Sequence, residues 1–117
     1  MARSTAAALL LALASVIGSG CAKRPATDEA QEAVKRFFAA LPDKDCGVLQ
    51  GMLVDDCAAV VDGVQQHGLR LLEVLGAEVD GRNPEAVMVR VRMERDGQRR
   101  EVTLRVEHRP EGWKLKL

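Results

Sequence analysis

Strict alternation of apolar and polar residues marks the last third of the chain. Over residues 86–94, Val87, Val89, Val91 and Met93 alternate with Met88, Arg90, Arg92 and Glu94. Over 101–107, Val102, Leu104 and Val106 alternate with Thr103, Arg105 and Glu107, and over 113–117 Trp113, Leu115 and Leu117 alternate with Lys114 and Lys116. A side-chain period of two predicts strands with one buried face and one wet face. Asp96-Gly97 predicts a type I′ turn, because both central residues of that turn need positive φ. Closing a hairpin there sets Val91 opposite Val102, Val89 opposite Leu104 and Val87 opposite Val106. The same register sets Arg92 against Glu101 and Glu94 against Arg99, and a slip of one residue would lose every one of these pairs. A second turn around Pro110-Glu111-Gly112 pairs Val106 with Leu115, Leu104 with Leu117, Glu107 with Lys114 and His108 with Trp113. It also sets Arg105 against Lys116, which requires a carboxylate nearby.

Upstream the period changes. Ala30, Ala33, Val34, Phe37, Phe38 and Leu41 recur at spacings of three and four, the pattern of an amphipathic helix. Asp28 and Gln31 are placed as its capping box, Glu32 faces Lys35 and Arg36, and Pro42 stops it. A second short helix opens at Asp43-Lys44-Asp45 and carries Val48, Leu49, Met52 and Leu53. A third, capped by Asp55-Asp56, runs through Cys57, Val61 and Val64 to Gly68. Leu69 to Val79 has apolar residues on both faces, which predicts a deeply buried strand, with Gly76 marking a bulge. Asp80 to Pro84 is a turn. Helices followed by antiparallel strands predict an α+β fold with about four strands.

The beginning of the chain reads differently. A short positive start, Met1-Ala2-Arg3, precedes an apolar run from Ala6 to Ile17 that suits a signal-peptide core and is too short to span a bilayer. It ends in Gly18-Ser19-Gly20-Cys21, which resembles the lipobox of bacterial lipoproteins, although Gly18 stands where that family usually has an aliphatic residue. The resemblance implies cleavage before Cys21, acylation of that cysteine and a near-permanent membrane anchor. An ordinary secretory signal with a chance cysteine is the competing reading; core length, small residues and cysteine together favour the lipoprotein. Ala22 follows the cysteine where the family's inner-membrane retention rule places Asp, which favours the outer membrane, periplasmic face, over the inner membrane. The organisation expected is a signal peptide over 1–20, a lipidated tether over 21–27 and one domain over 28–117.

Charge narrows the partners. The full chain balances 17 basic against 17 acidic residues, which argues against general nucleic-acid binding. Residues 28–81 are acidic and residues 82–117 basic, but the outward arginines have carboxylates opposite them, so mutual neutralisation is favoured over an anion-binding sheet. With Cys21 acylated, Cys46 and Cys57 remain in an exported protein. An even pair in an oxidising compartment favours a disulfide, closing a loop of about a dozen residues; two free buried thiols are the alternative.

The segment Ala33-Val34-Lys35-Arg36-Phe37-Phe38-Ala39-Ala40-Leu41, Asp45, the short helices and the closing Gly112-Trp113-Lys114-Leu115-Lys116-Leu117 resemble the nuclear transport factor 2-like superfamily in its small bacterial lipoprotein form. The resemblance covers most of residues 28–117 and implies a curved sheet wrapping the first helix, forming a cone with room for an apolar pocket. Enzymes of that superfamily, ketosteroid isomerases among them, place tyrosine, aspartate or histidine in the pocket. This chain has no tyrosine, and Val and Leu occupy its inward strand positions. His67 and His108 lie far apart with no paired nucleophile, Trp113 reads as core, and Asp55, Asp56 and Asp62 lack the loop spacing that calcium needs. No catalytic residue, metal or cofactor is therefore expected. The function expected is a lipid-anchored envelope binding or accessory module, taking a protein or a small apolar ligand. The alternative is a pocket enzyme of the isomerase or hydratase kind on the same fold.

Overall fold

The Asp96-Gly97 turn fixes the register of the sheet. In the computed structural model, which describes residues 24–117, Asp96 and Gly97 have φ of 52° and 78°. They join β2 (Asn83–Arg95) to β3 (Gln98–Arg109). Every pair expected between these strands is present, from Val87 with Val106 to Glu94 with Arg99. β4 (Gly112–Lys116) continues the meander with Val106 opposite Leu115, Glu107 opposite Lys114 and His108 opposite Trp113. Leu104 does not reach Leu117. The N–H of Leu117 instead donates to the Asp55 carboxylate at 2.8 Å, which draws residue 117 toward the helices and leaves its side chain exposed.

β1 (Arg70–Asp80) completes one antiparallel sheet in the order β1-β2-β3-β4. Among the described residues three α-helices precede it: α1 (Ala26–Ala40), α2 (Cys46–Leu49) and α3 (Cys57–His67). The fold is α+β, as expected. β1 is not a deeply buried strand; it is an edge strand, and none of its residues is fully buried. Its register against β2 shifts between Leu71 and Glu73 and again between Val74 and Gly76. Each extra residue re-phases the strand, so that Leu71, Val74 and Ala77 pack on the core at a spacing of three while Leu72 and Leu75 do not. Apolar residues on both faces here record two bulges. At the other edge, Leu53 forms a parallel bridge to Leu115, and the Val54 N–H donates to the Leu115 carbonyl at 2.8 Å.

The core is the α1 stripe laid on the inward face of the sheet. Ala30, Ala33, Val34 and Phe37 join Val87, Val89, Val91, Val106 and Leu115 in one buried cluster. Full burial of a valine or larger side chain stabilises by about 1.5–3 kcal/mol, so this cluster dominates the fold's favourable energy. α1 begins three residues earlier than expected. Pro25 occupies the N-cap position with no side-chain cap, and its carbonyl accepts from the N–H groups of Asp28 and Glu29 at 3.1 Å each. Asp28 is thus a first-turn acid favoured by the helix dipole and not half of a capping box.

Asp45 and Asp56 do cap, accepting from the N–H groups of Gly47 and Ala59. Asp55 caps nothing and holds Leu117. Cys46 and Cys57 are disulfide-bonded across the first residues of α2 and α3, with Cα atoms 5.7 Å apart. Gln50 clamps the same loop: its Nε2 donates to the Asp55 carbonyl and its Oε1 accepts from the Cys57 N–H, both at 2.8 Å. α2 is one turn long and buries only Leu49; Val48, expected on the apolar side, is exposed.

On the wet face, Arg105 supplies its own answer to Lys116 by bonding Asp80 and Glu107 at 2.9 Å each. Asp80 is held below the usual carboxylate range first by the Arg82 N–H and then by the Arg105 guanidinium. Glu107 is held low by Arg109 first and Arg105 second. The guanidinium of Arg105 is correspondingly raised by Glu107 first and Asp80 second.

Candidate functional site

The helices do not seal the sheet completely. Where the C-terminal half of α1, the face of α3 and the start of β1 meet, an apolar cleft remains, with Phe38, Val64 and Leu69 at its centre. One lobe of about 460 Å³ runs between α1, α3 and β1. A second lobe of about 320 Å³ runs over the sheet between Phe38 and Leu104, out to Val102. Volumes of roughly 300–1,000 Å³ are typical of small-molecule sites. A third lobe of about 370 Å³ continues along α3 past Val60 to His67.

Local sequence places these residues. Phe37 lies in the buried stripe of α1, and Phe38, one position on, is rotated off it. The two rings meet edge to face with centroids 5.2 Å apart, so Phe38 lines the cleft instead of filling the core. Gly68 ends α3 in the left-handed conformation (φ 58°), and the Leu69 N–H returns to the Val64 carbonyl at 3.1 Å. That turn brings Leu69 back beside Val64. Val102 faces Val91 across the sheet, as the register expects, but it lies beyond the cover of the helices and is exposed at the cleft rim.

The end of α3 is tied to the β2–β3 hairpin. The Asp96 N–H donates to the His67 carbonyl at 2.7 Å, and His67 Nδ1 lies 3.5 Å from the Asp96 carboxylate. Arg95 of the same hairpin lines the second and third lobes.

All charged groups lining the first two lobes are cations: Lys35, Lys44, Arg70, Arg95 and Arg100. Three have carboxylates nearby, Lys35 with Glu32 at 3.8 Å, Arg70 with Glu94 at 3.5 Å and Arg95 with Asp96 at 3.8 Å. Among the described residues, Lys44 and Arg100 form no ion pair. Asp55 enters only the third lobe.

The residues singled out from sequence are dispersed. Cys21 and the signal segment lie outside the described residues. Cys46 and Cys57 are joined, but neither lines the cleft. His67 lines only the third lobe. His108 lies at the other end of β3 from the hairpin, with its ring 4.7 Å from that of Trp113 and Nδ1 3.3 Å from the Glu85 carboxylate. Among the described residues no group of three or more His, Cys, Asp or Glu is arranged to hold a metal, and no helix is long and apolar enough to cross a membrane. The family resemblance implies room for an apolar pocket but does not name the residues that line it. Phe38, Val64 and Leu69 look like core positions one by one, and only their failure to be covered makes a site.

No known protein family matches this chain, and no curated protein is significantly similar to it.

Proposed function

We propose that this chain is a lipid-anchored binding or accessory module of the bacterial cell envelope, built on a nuclear transport factor 2-like domain and acting without catalysis. The observation that carries the reading is an open, mostly apolar cleft whose first two lobes carry five cations, Gln65 and Thr103 but no carboxylate or histidine to form an acid–base pair. The lipobox-like Gly18-Ser19-Gly20-Cys21 supports the anchor, with five positions from Cys21 to the first residue of α1 as the tether. Ala22 supports the outer membrane, periplasmic face, over the inner membrane. An early helix laid on a four-strand antiparallel meander supports the superfamily resemblance. The isomerase-type alternative would use His67, half-buried in the third lobe beside the Asp96 carboxylate, or His108, exposed at the far end of β3.

The test is photo-crosslinking in intact cells from Leu69, in the cleft, compared with Arg92, on the wet face of the sheet. Adducts from Leu69 that a blocking Val64→Trp change abolishes are the expected result. Equal adducts from both positions, unaffected by that change, would contradict a binding role for the cleft.

A further inference from the structure

We propose that the cleft takes the acyl chain of a single-chain anionic amphiphile, a long-chain fatty carboxylate, with its head group at the cationic rim. The inference rests on the binding-module reading and names the ligand class for that site. Its warrant is charge complementarity at an apolar groove. In a chain with 17 basic and 17 acidic residues, a random rim would mix both signs. The two lobes that share Phe38, Val64 and Leu69 carry five cations and no carboxylate. Lys44 and Arg100 are the strongest candidates for the head group, because among the described residues neither is in an ion pair. Lys44 is also held in the left-handed region (φ 54°), with its N–H donating to the Leu41 carbonyl at 3.0 Å. A non-glycine residue in that conformation is uncommon and is retained when its surroundings fix it.

The lining disfavours other ligand classes. A cationic amphiphile would meet Lys44 and Arg100, which among the described residues no carboxylate neutralises, whereas Lys35, Arg70 and Arg95 have Glu32, Glu94 and Asp96 beside them. An extended peptide needs backbone partners along a strand edge, whereas the second lobe lies over the sheet among side chains, with Thr103 its one uncharged polar group. An acyl chain needs only apolar contact, and a carboxylate gains charge-assisted hydrogen bonds from Arg and Lys.

The experiment uses the mature full chain in phosphatidylcholine nanodiscs, labelled with a diazirine-bearing palmitate and mapped by peptide mass analysis. Labelling is expected on the peptides containing Phe38, Val64 and Leu69. Unlabelled palmitate is expected to compete about tenfold better than hexadecanol, and hexadecyltrimethylammonium not to compete. Combining Lys44→Gln with Arg100→Gln is expected to lower labelling about tenfold, while Arg82→Gln, at the β1–β2 turn, leaves it unchanged. All three positions are exposed, so unchanged melting temperatures are expected to confirm intact folding. If hexadecanol competes as well as palmitate, or the paired substitution has no effect, the head-group assignment is overturned while an apolar binding site survives. If no label enters the cleft, both the ligand class and the binding-module reading fall.

Discussion

Changing both Cys46 and Cys57 to Ala tests how far this small domain depends on its covalent staple. The bridge joins residues 11 apart in sequence, so it closes a loop of about a dozen residues. In the chain-entropy account, restricting the unfolded chain in this way is worth about 3 kcal/mol. Cys57 is 1% exposed and belongs to the core cluster, so removing its sulfur adds roughly 1 kcal/mol for lost contacts and the space left behind. A total of about 4 kcal/mol is a large fraction of the roughly 5–15 kcal/mol that holds an ordinary domain folded. With a urea m-value of about 1.5 kcal/mol/M, within the range for small proteins, the midpoint falls by roughly 2–3 M. Urea titration followed by Trp113 fluorescence and by far-ultraviolet circular dichroism is the assay. Wild-type protein kept reduced is expected to lie close to the double variant. A midpoint within about 0.5 M of the oxidised wild type would refute the loop-closure argument and assign the stability of α2 and α3 to packing and the Gln50 clamp.

Phe37 is fully buried at the centre of the α1 stripe, so Phe37→Ala is expected to cost about 3–5 kcal/mol in chemical denaturation; a loss under 1 kcal/mol would mean that α1 is not the core element. Gly97 has φ of 78° in the hairpin turn, where a Cβ meets no neighbouring atom but the backbone conformation is unfavourable. Gly97→Ala is expected to lower stability by about 1 kcal/mol, read as a small drop in melting temperature with unchanged circular dichroism. Asp80 and Glu107 have folded-state pKa values depressed below their ordinary 3.8 and 4.5. Their contribution to stability is therefore complete above about pH 4.5 and is lost as pH falls through the lower folded values. Arg105→Met is expected to make stability less steep in pH on this acid limb, and an unchanged acid limb in urea titrations at several pH values would contradict the role given to Arg105.

The meander was legible because its determinants are local. Alternation and an Asp-Gly turn specify one register, and a slip would expose Val87, Val89 and Val91 together; the charges opposite each other at Arg92–Glu101 and Glu94–Arg99 find other partners, Arg92 with Glu73, Glu101 with Arg90 and Glu94 with Arg70. The disulfide was legible from the cysteine count and the expected compartment. The bulge expected at Gly76 is present, but β1 misled because a second one, between Leu71 and Glu73, was not foreseen, and the two together turned Leu71, Val74 and Ala77 into one inward row. The start of α1 misled because Pro25, a residue with no side-chain cap to offer, takes the position that Asp28 seemed suited to. Asp55 resembled a cap and proved to be an anchor for Leu117, 62 residues away, a contact no local pattern encodes. The lining of the cleft was illegible for the same reason: it is a gap between elements far apart in sequence, and only the family resemblance suggested a pocket at all.

The proposed envelope module would be held at the membrane by Cys21, with its folded domain beyond the anchor. Intact-mass and peptide mass spectrometry of protein extracted from the membrane fraction tests this most directly. The expected product is a chain beginning at Cys21, carrying acyl groups on that residue, and two hydrogens lighter than its reduced form because Cys46 and Cys57 are bridged. An unmodified chain beginning at another residue, recovered from the soluble fraction, would contradict it.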